Sequence, residues 1–343
     1  MVGVALAGHV PDHHDERKPS FDREGFNRCM KAEFMEDATS GARYRVVHTK
    51  FEEQECSSNL FENQSLFLEA VSPDDTEFYL AEYRTRGLTM LIKSIKPTFA
   101  LDYPHLVRME ECIGKATHHP NIRRLYCAYW HPLNKTVNLV MEWIPGLNLL
   151  ESITVKESIK GDVVASRALL EQMGSALSFL HSNGIVHRDV KPQNILIREN
   201  EPLSFFLIDF AMAAILDPVA RTYDAEPAGT LIYFAPEILR ILQGEDIRCT
   251  SAVDWYSLGL TLYIQLSGQM PLCYSDFKDI ETLKEALRNA EIDLKPICEA
   301  FRPLVTSLIT KQPTERGDLA SIKKWFDSLD FKANKEVRQI VSN

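Results

Sequence analysis

Residues 187–197 are His187-Arg188-Asp189-Val190-Lys191-Pro192-Gln193-Asn194-Ile195-Leu196-Ile197. A helix is predicted just before this stretch, because apolar residues recur at helical spacing over Leu170–Leu180 and Gly184 then ends the pattern. Two further segments follow along the chain, Leu207-Ile208-Asp209-Phe210 and Ala235-Pro236-Glu237. The order and spacing of these three segments decide how the rest of the chain is interpreted.

The size and charge of the chain exclude several classes of protein. The chain has 343 residues, of which 45% are hydrophobic, so it is long enough to bury the cores of two lobes or domains. Its 48 acidic and 38 basic residues give a net charge of -10, which would repel a nucleic-acid backbone. The apolar run Val2–Ala7 is too short for a signal peptide, and no segment reaches the roughly 18 apolar residues of a membrane span. Neither nucleic acid nor a membrane is therefore expected as a partner.

The cysteines give no pattern of their own. Seven of them are scattered along the chain, and none belongs to a C-x-x-C pair. This distribution indicates neither a disulfide framework nor a zinc site. We therefore expect a reducing compartment, the cytoplasm or the nucleus.

The chain divides into four segments by composition and periodicity. Residues 1–63 are charged and weakly periodic, and they are predicted to form an extension with at most short helices. Residues 64–145 are predicted to form a small α+β lobe, residues 146–331 a mainly helical large lobe, and residues 332–343 a short tail. The small-lobe strands are predicted at Ser65–Val71, Phe78–Arg84, Leu88–Ile95, Ile122–Trp130 and Thr136–Trp143, and its main helix at Tyr103–Thr117.

The three segments quoted above resemble the motifs of eukaryotic protein kinases, in that family's order and spacing. The resemblance covers roughly residues 65–331. It implies a bilobal α+β protein kinase fold, with a five-stranded antiparallel small lobe carrying one main helix and a mainly helical large lobe. It also implies transfer of the γ-phosphoryl group of ATP to protein hydroxyl groups, with ATP and Mg²⁺ as cofactors and a protein as substrate or binding partner.

The resemblance assigns roles to the polar residues of these segments. Asp189 would accept or orient the substrate hydroxyl, and Lys191 would neutralise the phosphoryl group in transit. Asn194 and Asp209 would hold the magnesium ions. The alternative interpretation is that these side chains only cap turns.

The nucleotide-binding residues of the small lobe are assigned in the same way. Lys93 lies where the family has its strand lysine, and Glu110 would be its ion-pair partner. The alternative is a solvated Lys93 with Glu111 in place of Glu110. The segment Val140–Trp143 resembles the hinge.

Three residues of the hinge region and one of the large lobe complete the expected nucleotide site. Met141 would guard the adenine pocket, and backbone groups near Glu142 and Ile144 would meet the adenine edge. Leu196 is also expected to contribute to nucleotide binding.

Other segments indicate the branch of the family. Lys191 and the pair Gly229-Thr230 resemble serine/threonine rather than tyrosine kinases. The segments Ala252–Gly259 and Pro313–Gly317 resemble the AGC branch, including ribosomal-S6-kinase-like members. The resemblance also implies that Glu237 and Arg316 form the buried ion pair of the large lobe and that Asp254 is structural.

The resemblance also predicts how the activation segment is held. Glu226 stands where AGC relatives carry an activating phosphothreonine, and Arg188 would normally bind that phosphate. A permanent carboxylate at Glu226 would hold the segment in part. The alternative is that Glu226 is a solvated acid beside Asp224.

Four departures from the family pattern lead to two hypotheses. Ser65–Arg86 contains no glycine where the family has its glycine-rich phosphate loop, and Asp74 and Asp75 occupy the predicted tip. The other departures are Leu91 for a small alanine under the adenine, Gly114 for a bulky apolar residue, and Ala211 for the glycine of the magnesium motif. The retained ionisable residues favour a divergent serine/threonine kinase, whereas the missing glycines and Leu91 favour a pseudokinase that acts as an allosteric or scaffolding module.

Overall fold

The computed structural model describes residues 18–31, 44–48, 76–83, 88–131, 135–198, 202–224, 228–272, 278–289 and 291–328. The described residues belong to two compact units. The small unit contains those up to Pro145 and also Asp209–Met212, and the large unit contains the rest. Helices and antiparallel strands occur in both units, so the predicted α+β class is confirmed.

A five-stranded antiparallel sheet forms the centre of the small unit, in the order β2-β3-β4-β7-β6. The bounds of these strands are Tyr44–His48 (β2), Thr76–Tyr83 (β3), Leu88–Ile95 (β4), Leu125–His131 (β6) and Thr136–Glu142 (β7). The central strand β4 places Lys93 opposite Phe78 on one side and Leu139 on the other. Its apolar neighbours Met90, Ile92 and Ile95 are buried, which fixes the register of the strand.

The first strand of the sheet differs from the prediction. Tyr44–His48 pairs with β3, although the sequence placed this stretch in the extension. The predicted strand Ser65–Val71 and the acidic tip at Asp74 and Asp75 lie outside the described residues. The sheet therefore begins earlier in the chain than predicted. The glycine-free stretch is correspondingly longer, since no glycine occurs between Tyr44 and Arg86.

The main helix of the small unit carries the acidic side chain of the site. This helix is Pro104–Ala116 (α3), preceded by the short helix Pro97–Asp102 (α2). Pro104 occupies the first helical position, where its missing N–H removes no intrahelical hydrogen bond. The helix buries Val107, Ile113 and Ala116.

A segment before the sheet packs on this helix. Its strand Ser20–Phe21 (β1) pairs with Thr117–His118 (β5), and its helix Arg23–Lys31 (α1) packs on α3. Cys29 and Cys112 form a disulfide, although the distribution of the cysteines indicated no disulfide framework. The bonded cysteines are 83 residues apart, so spacing along the chain could not reveal the pair.

The large unit is mainly helical. Its helices are Leu149–Thr154 (α4), Val163–Ser182 (α5), Pro236–Ile241 (α6), Ala252–Ser267 (α7), Ile280–Asn289 (α8), Arg302–Leu308 (α9) and Leu319–Ser328 (α10). The Asp162 carboxylate caps the start of α5 by accepting hydrogen bonds from the N–H groups of Val164 and Ala165. Helix α7 is buried almost all round, as expected for a central helix. Within the described part of the chain, no helix is both long and apolar enough to cross a bilayer.

Two short antiparallel pairs frame the stretch 187–194. The four strands of these pairs are Ile185–Val186 (β8), Ile195–Arg198 (β9), Ser204–Leu207 (β10) and Ala214–Ile215 (β11). Strand β8 pairs with β11, and β9 pairs with β10. The loop between β8 and β9 is therefore fixed at both ends. The remaining short strands, Tyr223–Asp224 (β12) and Arg248–Cys249 (β13), pair with each other.

Candidate active site

The backbone of the loop between β8 and β9 is held by a buried carboxylate on α7. Asp254 is fully buried, and its two oxygens accept the N–H groups of His187 and Arg188, both at 2.8 Å. Burial alone raises the pKa of Asp254, but the hydrogen bond from His181 and the His187 interactions outweigh burial and lower the net pKa. The charged acceptor supports the positive φ of 68° at Arg188, a conformation that costs energy in any non-glycine residue.

Three polar side chains contact one carboxylate, two from this loop and one from Thr230 further along the chain. Lys191 Nζ lies 2.8 Å from Asp189 Oδ2, and the Asn194 amide donates to the same oxygen at 2.9 Å. The Thr230 hydroxyl donates to Asp189 Oδ1 at 2.9 Å and accepts from Lys191 Nζ at 2.7 Å. Asp189 is only 7% exposed. The carboxylate is therefore held in one orientation.

Thr230 reaches the loop because the preceding residue is a glycine. Gly229 has a φ of 110°, and a Cβ atom at this position would lie 2.6 Å from the carbonyl oxygen of Arg188. Any other residue would push the two segments apart. The pair Gly229-Thr230 is thus required for the contact with Asp189.

Asn194 is oriented as a metal ligand would be. Its Nδ2 group donates to both the backbone oxygen and the Oδ2 of Asp189, each at 2.9 Å. The amide nitrogen is thus occupied, and Oδ1 is the atom left to bind a hard cation. Among the described residues, no cluster of three or more His, Cys, Asp or Glu side chains could hold a metal by itself. The Asn194 amide oxygen is a ligand of the kind that Mg²⁺ accepts, and Mg²⁺ usually takes most of its other ligands from water and phosphate.

The small unit contains a buried ion pair. Lys93 Nζ on β4 donates to Glu110 Oε2 on α3 at 2.7 Å, and these side chains are 15% and 4% exposed. Burial alone lowers the pKa of Lys93, but the carboxylates of Glu110 and Asp209 outweigh burial and raise the net pKa above its usual value. Glu111, the alternative partner, instead contacts Lys115 near the surface at 2.6 Å.

The hinge residues lie at the end of β7, which pairs with β4 and β6 in the sheet of the same unit. Met141 and Glu142 end β7, and Met141, Glu142 and Ile144 are all buried. The N–H of Glu142 donates to the carbonyl of Arg124 at 2.9 Å. In the large unit, Leu196 on β9 is partly exposed between the buried residues Ile195 and Ile197.

The magnesium motif begins in the small unit. Asp209 has a φ of 67°, and its Oδ1 accepts the N–H of Ala211 at 3.2 Å. Alanine in place of the family glycine therefore does not disturb this turn. Phe210 is buried beside it.

Comparison with known proteins identifies this arrangement. A family model described as the protein kinase domain matches residues 76–326. The chain belongs to the protein kinase family. The segment Ser20–Lys31 and the strand Tyr44–His48 lie before the matched residues.

Serine/threonine kinases are among the relatives of this chain. It is 30% identical over 254 residues to serine/threonine-protein kinase RAD53 of Saccharomyces cerevisiae, covering 69% of this chain and 29% of the relative. It is 32% identical over 211 residues to a probable myosin light chain kinase of Dictyostelium discoideum, covering 60% of this chain and 64% of the relative. It is 32% identical over 205 residues to serine/threonine-protein kinase ULK3 of Homo sapiens, covering 60% and 41%. The chain thus spans less than two thirds of each of these three proteins. The AGC-like branch stays a prediction.

Two departures from the kinase pattern concern packing around α3 and β4. A Cβ atom at Gly114 would lie 2.8 Å from Leu125 Cβ, so the glycine lets α3 approach β6 closely but adds no apolar side chain there. Leu91 lies opposite Met141 in the sheet and is 9% exposed. Both residues are thus part of the small-unit core.

Arg123 is a site residue that sequence reasoning missed. It is 9% exposed and lines a small cavity of the small unit together with Glu110 and Asp209. Burial lowers the pKa of its guanidinium, and the nearby carboxylates of Glu110, Asp209 and Glu142 oppose that shift. The sequence feature that could have revealed Arg123 is the dipeptide Arg123-Arg124 inside an apolar strand pattern. A buried arginine is rare unless an acidic partner compensates its charge.

The activation segment is described in part. The Arg188 guanidinium lies over the ring of Tyr223, with Cζ 5.3 Å from the centroid. Glu226, predicted as the partner of Arg188, lies outside the described residues. That contact stays a prediction.

We expect Arg123→Met to strengthen the binding of Mg-ATP. Removing a fixed positive charge from the cavity shared with Asp209 should favour a divalent cation there. The same change should lower the stability of the ligand-free protein by about 1–3 kcal/mol, because buried carboxylates lose a cationic neighbour. Thermal-shift titration with Mg-ATP measures both effects. The matched control is Arg167→Met, since the Arg167 side chain belongs to the large unit, is 46% exposed and lies 2.8 Å from Glu171. Equal behaviour of the two variants would contradict the role of Arg123.

Proposed function

We propose that this chain is a divergent serine/threonine protein kinase that transfers the γ-phosphoryl group of ATP to hydroxyl groups of a protein substrate. The observation that carries the proposal is the network on Asp189, in which Lys191, Asn194 and Thr230 all contact one buried carboxylate. Residues that merely capped turns would have no reason to converge on a single acidic group.

Each residue of the network has a task in phosphoryl transfer. The Asp189 carboxylate would orient the substrate hydroxyl and accept its proton, while Lys191 would neutralise charge on the transferred group. The contact of Lys191 with Thr230 supports the serine/threonine class. In the small unit, Lys93 would bind the ATP phosphates, and Glu110 would hold the Lys93 ammonium in place.

Two oxygen-donor side chains of this chain suit a magnesium ion. Asn194 Oδ1 and the Asp209 carboxylate are the protein groups that would hold it, and when bound it would supply positive charge to the phosphate oxygens. These ligands matter more here than in a typical kinase, because the stretch from Tyr44 to Arg86 contains no glycine to bring backbone N–H groups close to phosphates.

A pseudokinase is the second candidate, and specific residues favour it. Leu91 is larger than the small residue that the family has at this position, and Gly114 supplies no apolar side chain on α3. Arg123 adds a buried positive charge to the cavity that Asp209 also lines. Such a protein would bind a partner through its kinase fold and transfer little or no phosphate.

The two candidates are separated by one pair of measurements on the full chain. Mg-ATP should raise the unfolding temperature, because a ligand that binds only the native state stabilises it. The protein should also transfer ³²P from ATP to itself or to a generic protein substrate such as casein. Binding with no transfer, or neither binding nor transfer, would overturn the proposed kinase activity and favour the pseudokinase.

We predict that nucleotide binding depends on magnesium. Without the cation, the phosphates would face Asp209 with no glycine-rich loop to hold them, so affinity should fall about tenfold or more. Calorimetric titration with ATP in magnesium and in EDTA measures the change. Asp209→Asn should show little difference in affinity between the two conditions, because its neutral side chain neither repels the phosphates nor binds the cation strongly. Equal affinity with and without magnesium in the unaltered protein would contradict the prediction.

A further inference from the structure

The segment Ser20–Lys31, here called the N-terminal clamp, contacts α3 at several points. Strand β1 pairs with β5 directly after α3, and the N–H of Asp22 donates to the carbonyl of Ala116 at 2.9 Å. The side chain of Arg108 donates to the carbonyl of Met30 at 3.1 Å. The Cys29–Cys112 disulfide joins the clamp to the middle of α3.

An apolar anchor supports these contacts. Phe26 on α1 is 4% exposed, and its ring lies 5.6 Å from that of Phe21. Burial of one such ring stabilises the packing of α1 on α3 independently of the disulfide.

The clamp holds the face of α3 that points away from the ion pair. Arg108 and Cys112 are four residues apart, so they lie one turn apart on the same face of the helix. Glu110 lies midway between them in sequence, and two residues turn a helix by about 200°, so it faces the opposite side, toward Lys93. A stiff helix held at Arg108, Cys112 and Ala116 leaves Glu110 little freedom to move.

The inner face of α3 offers fewer constraints of its own. Gly114 contributes no side chain against Leu125, and Glu110 Oε1 is buried with no hydrogen-bond partner among the described residues. The position of Glu110 on this face rests on one hydrogen bond to Lys93. The outer contacts therefore add to the hold on Glu110.

We propose that the N-terminal clamp is a positioning element for Glu110 and that the Cys29–Cys112 bond makes its hold redox-sensitive. The consequence for ATP binding rests on the proposed function, whereas the hold on α3 does not. A thiol such as glutathione would reduce the bond: two glutathione thiols supply two electrons and two protons, the two cysteines become thiols, and glutathione disulfide is released. Glutathione disulfide would run the reaction in reverse.

Access to the bond is asymmetric. Cys29 is partly exposed, whereas Cys112 is fully buried. A soluble thiol would therefore attack at the Cys29 sulfur and release the Cys112 thiol into the protein. Reduction frees an 83-residue loop, so the clamp would then depend on Phe26 and the hydrogen bonds alone.

Hydrogen exchange on the full chain tests the hold on α3. Amides of α3 should exchange about tenfold faster in reduced than in oxidised protein, and glutathione disulfide should restore the slow rate. Cys29→Ser should exchange at the fast rate under both conditions. The matched control Cys298→Ser should behave like the unaltered protein, since Cys298 is a free thiol outside the clamp. Exchange in strands β9 and β10 serves as an internal reference and should not change.

A second pair of variants tests the clamp without redox chemistry. Phe26→Ala should raise α3 exchange, and Phe26→Leu, which keeps an apolar side chain, should restore most of the protection. Slow α3 exchange in both reduced protein and Cys29→Ser would overturn the proposal. Hydrogen exchange is measured without nucleotide, so it tests the clamp independently of ATP binding. If the protection of the α3 amides depends on redox state but the protein binds no ATP, only the proposed kinase activity is overturned. When ATP binds, reduction should weaken its affinity in the unaltered protein but not in Cys29→Ser.

Discussion

Replacing Asp189 by asparagine is expected to lower the rate of phosphoryl transfer about 10²–10⁴-fold, the usual contribution of a positioned general base. The affinity for Mg-ATP should change little, because the Asp189 side chain contacts Lys191, Asn194 and Thr230 within the large unit. An effect on rate with little effect on affinity is expected for a group that acts mainly in the transition state.

The substitution is mild in structural terms, which makes the result interpretable. Asparagine keeps an oxygen that can accept from Thr230 or Lys191, and it keeps the shape of the side chain. It removes the negative charge that would accept the substrate proton in the proposed reaction. Circular dichroism and thermal unfolding should show that Asp189→Asn remains folded.

The matched control is Asp246→Asn, because Asp246 is an exposed aspartate of the large unit. This control should transfer phosphate at the unaltered rate. Single-turnover transfer from ³²P-labelled ATP separates the chemical step from nucleotide binding and product release. Transfer by Asp189→Asn at the control rate would mean that Asp189 is not the base.

Local patterns predicted the part of the site that depends on short-range order. The residues 187–194 lie between strands β8 and β9, and the resemblance to kinase motifs placed Asp189, Lys191 and Asn194 together in this stretch. The predicted strand Leu88–Ile95 has the observed bounds, and the predicted helix Tyr103–Thr117 differs from Pro104–Ala116 by one residue at each end. These elements have strong periodicity and clear end signals, which is why sequence was sufficient.

Features that depend on tertiary contacts could not be predicted in this way. The strand Tyr44–His48 is short and is recognised only by its pairing with β3. The Cys29–Cys112 bond joins two segments that are close only after α1 has packed on α3. The role of Arg123 requires knowing that Glu110 and Asp209 line the same cavity. In each case the missing information was a distance between segments far apart in the sequence.

Among the proposed substitutions, those that break the Glu237–Arg316 ion pair are expected to cause the largest loss in the free energy of unfolding. The guanidinium of Arg316 makes two parallel hydrogen bonds to the Glu237 carboxylate, at 2.6 and 2.8 Å. The Arg316 side chain is 0% exposed and the Glu237 side chain is 5% exposed. The other three N–H donors of Arg316 contact the carbonyls of Thr310, Ala252 and Lys311. All five donors of the guanidinium are therefore used within the large unit.

Glu237→Gln should lower the free energy of unfolding of the large unit by about 3–5 kcal/mol, because it leaves a buried arginine without its counter-ion. For a unit of this size, such a loss corresponds to a drop in unfolding temperature of about 6–20 °C. The matched control is Glu245→Gln. It removes the partner of Arg240 in a bidentate pair whose side chains are 49% and 42% exposed. An exposed pair should contribute only about 0–1 kcal/mol.

A double variant distinguishes the loss of the pair from the burial of an unpaired charge. Replacing both members by apolar residues, Glu237→Leu with Arg316→Met, removes the stranded cation as well as the attraction. Its loss of stability should therefore be smaller than the sum of the losses in Glu237→Leu and Arg316→Met alone, which urea unfolding of the four proteins measures. Three backbone carbonyls lose their Arg316 donor in the double variant, so recovery should be partial. If Glu237→Gln costs no more than Glu245→Gln, the buried pair does not stabilise the large unit. If the two single losses simply add, Glu237 and Arg316 act independently.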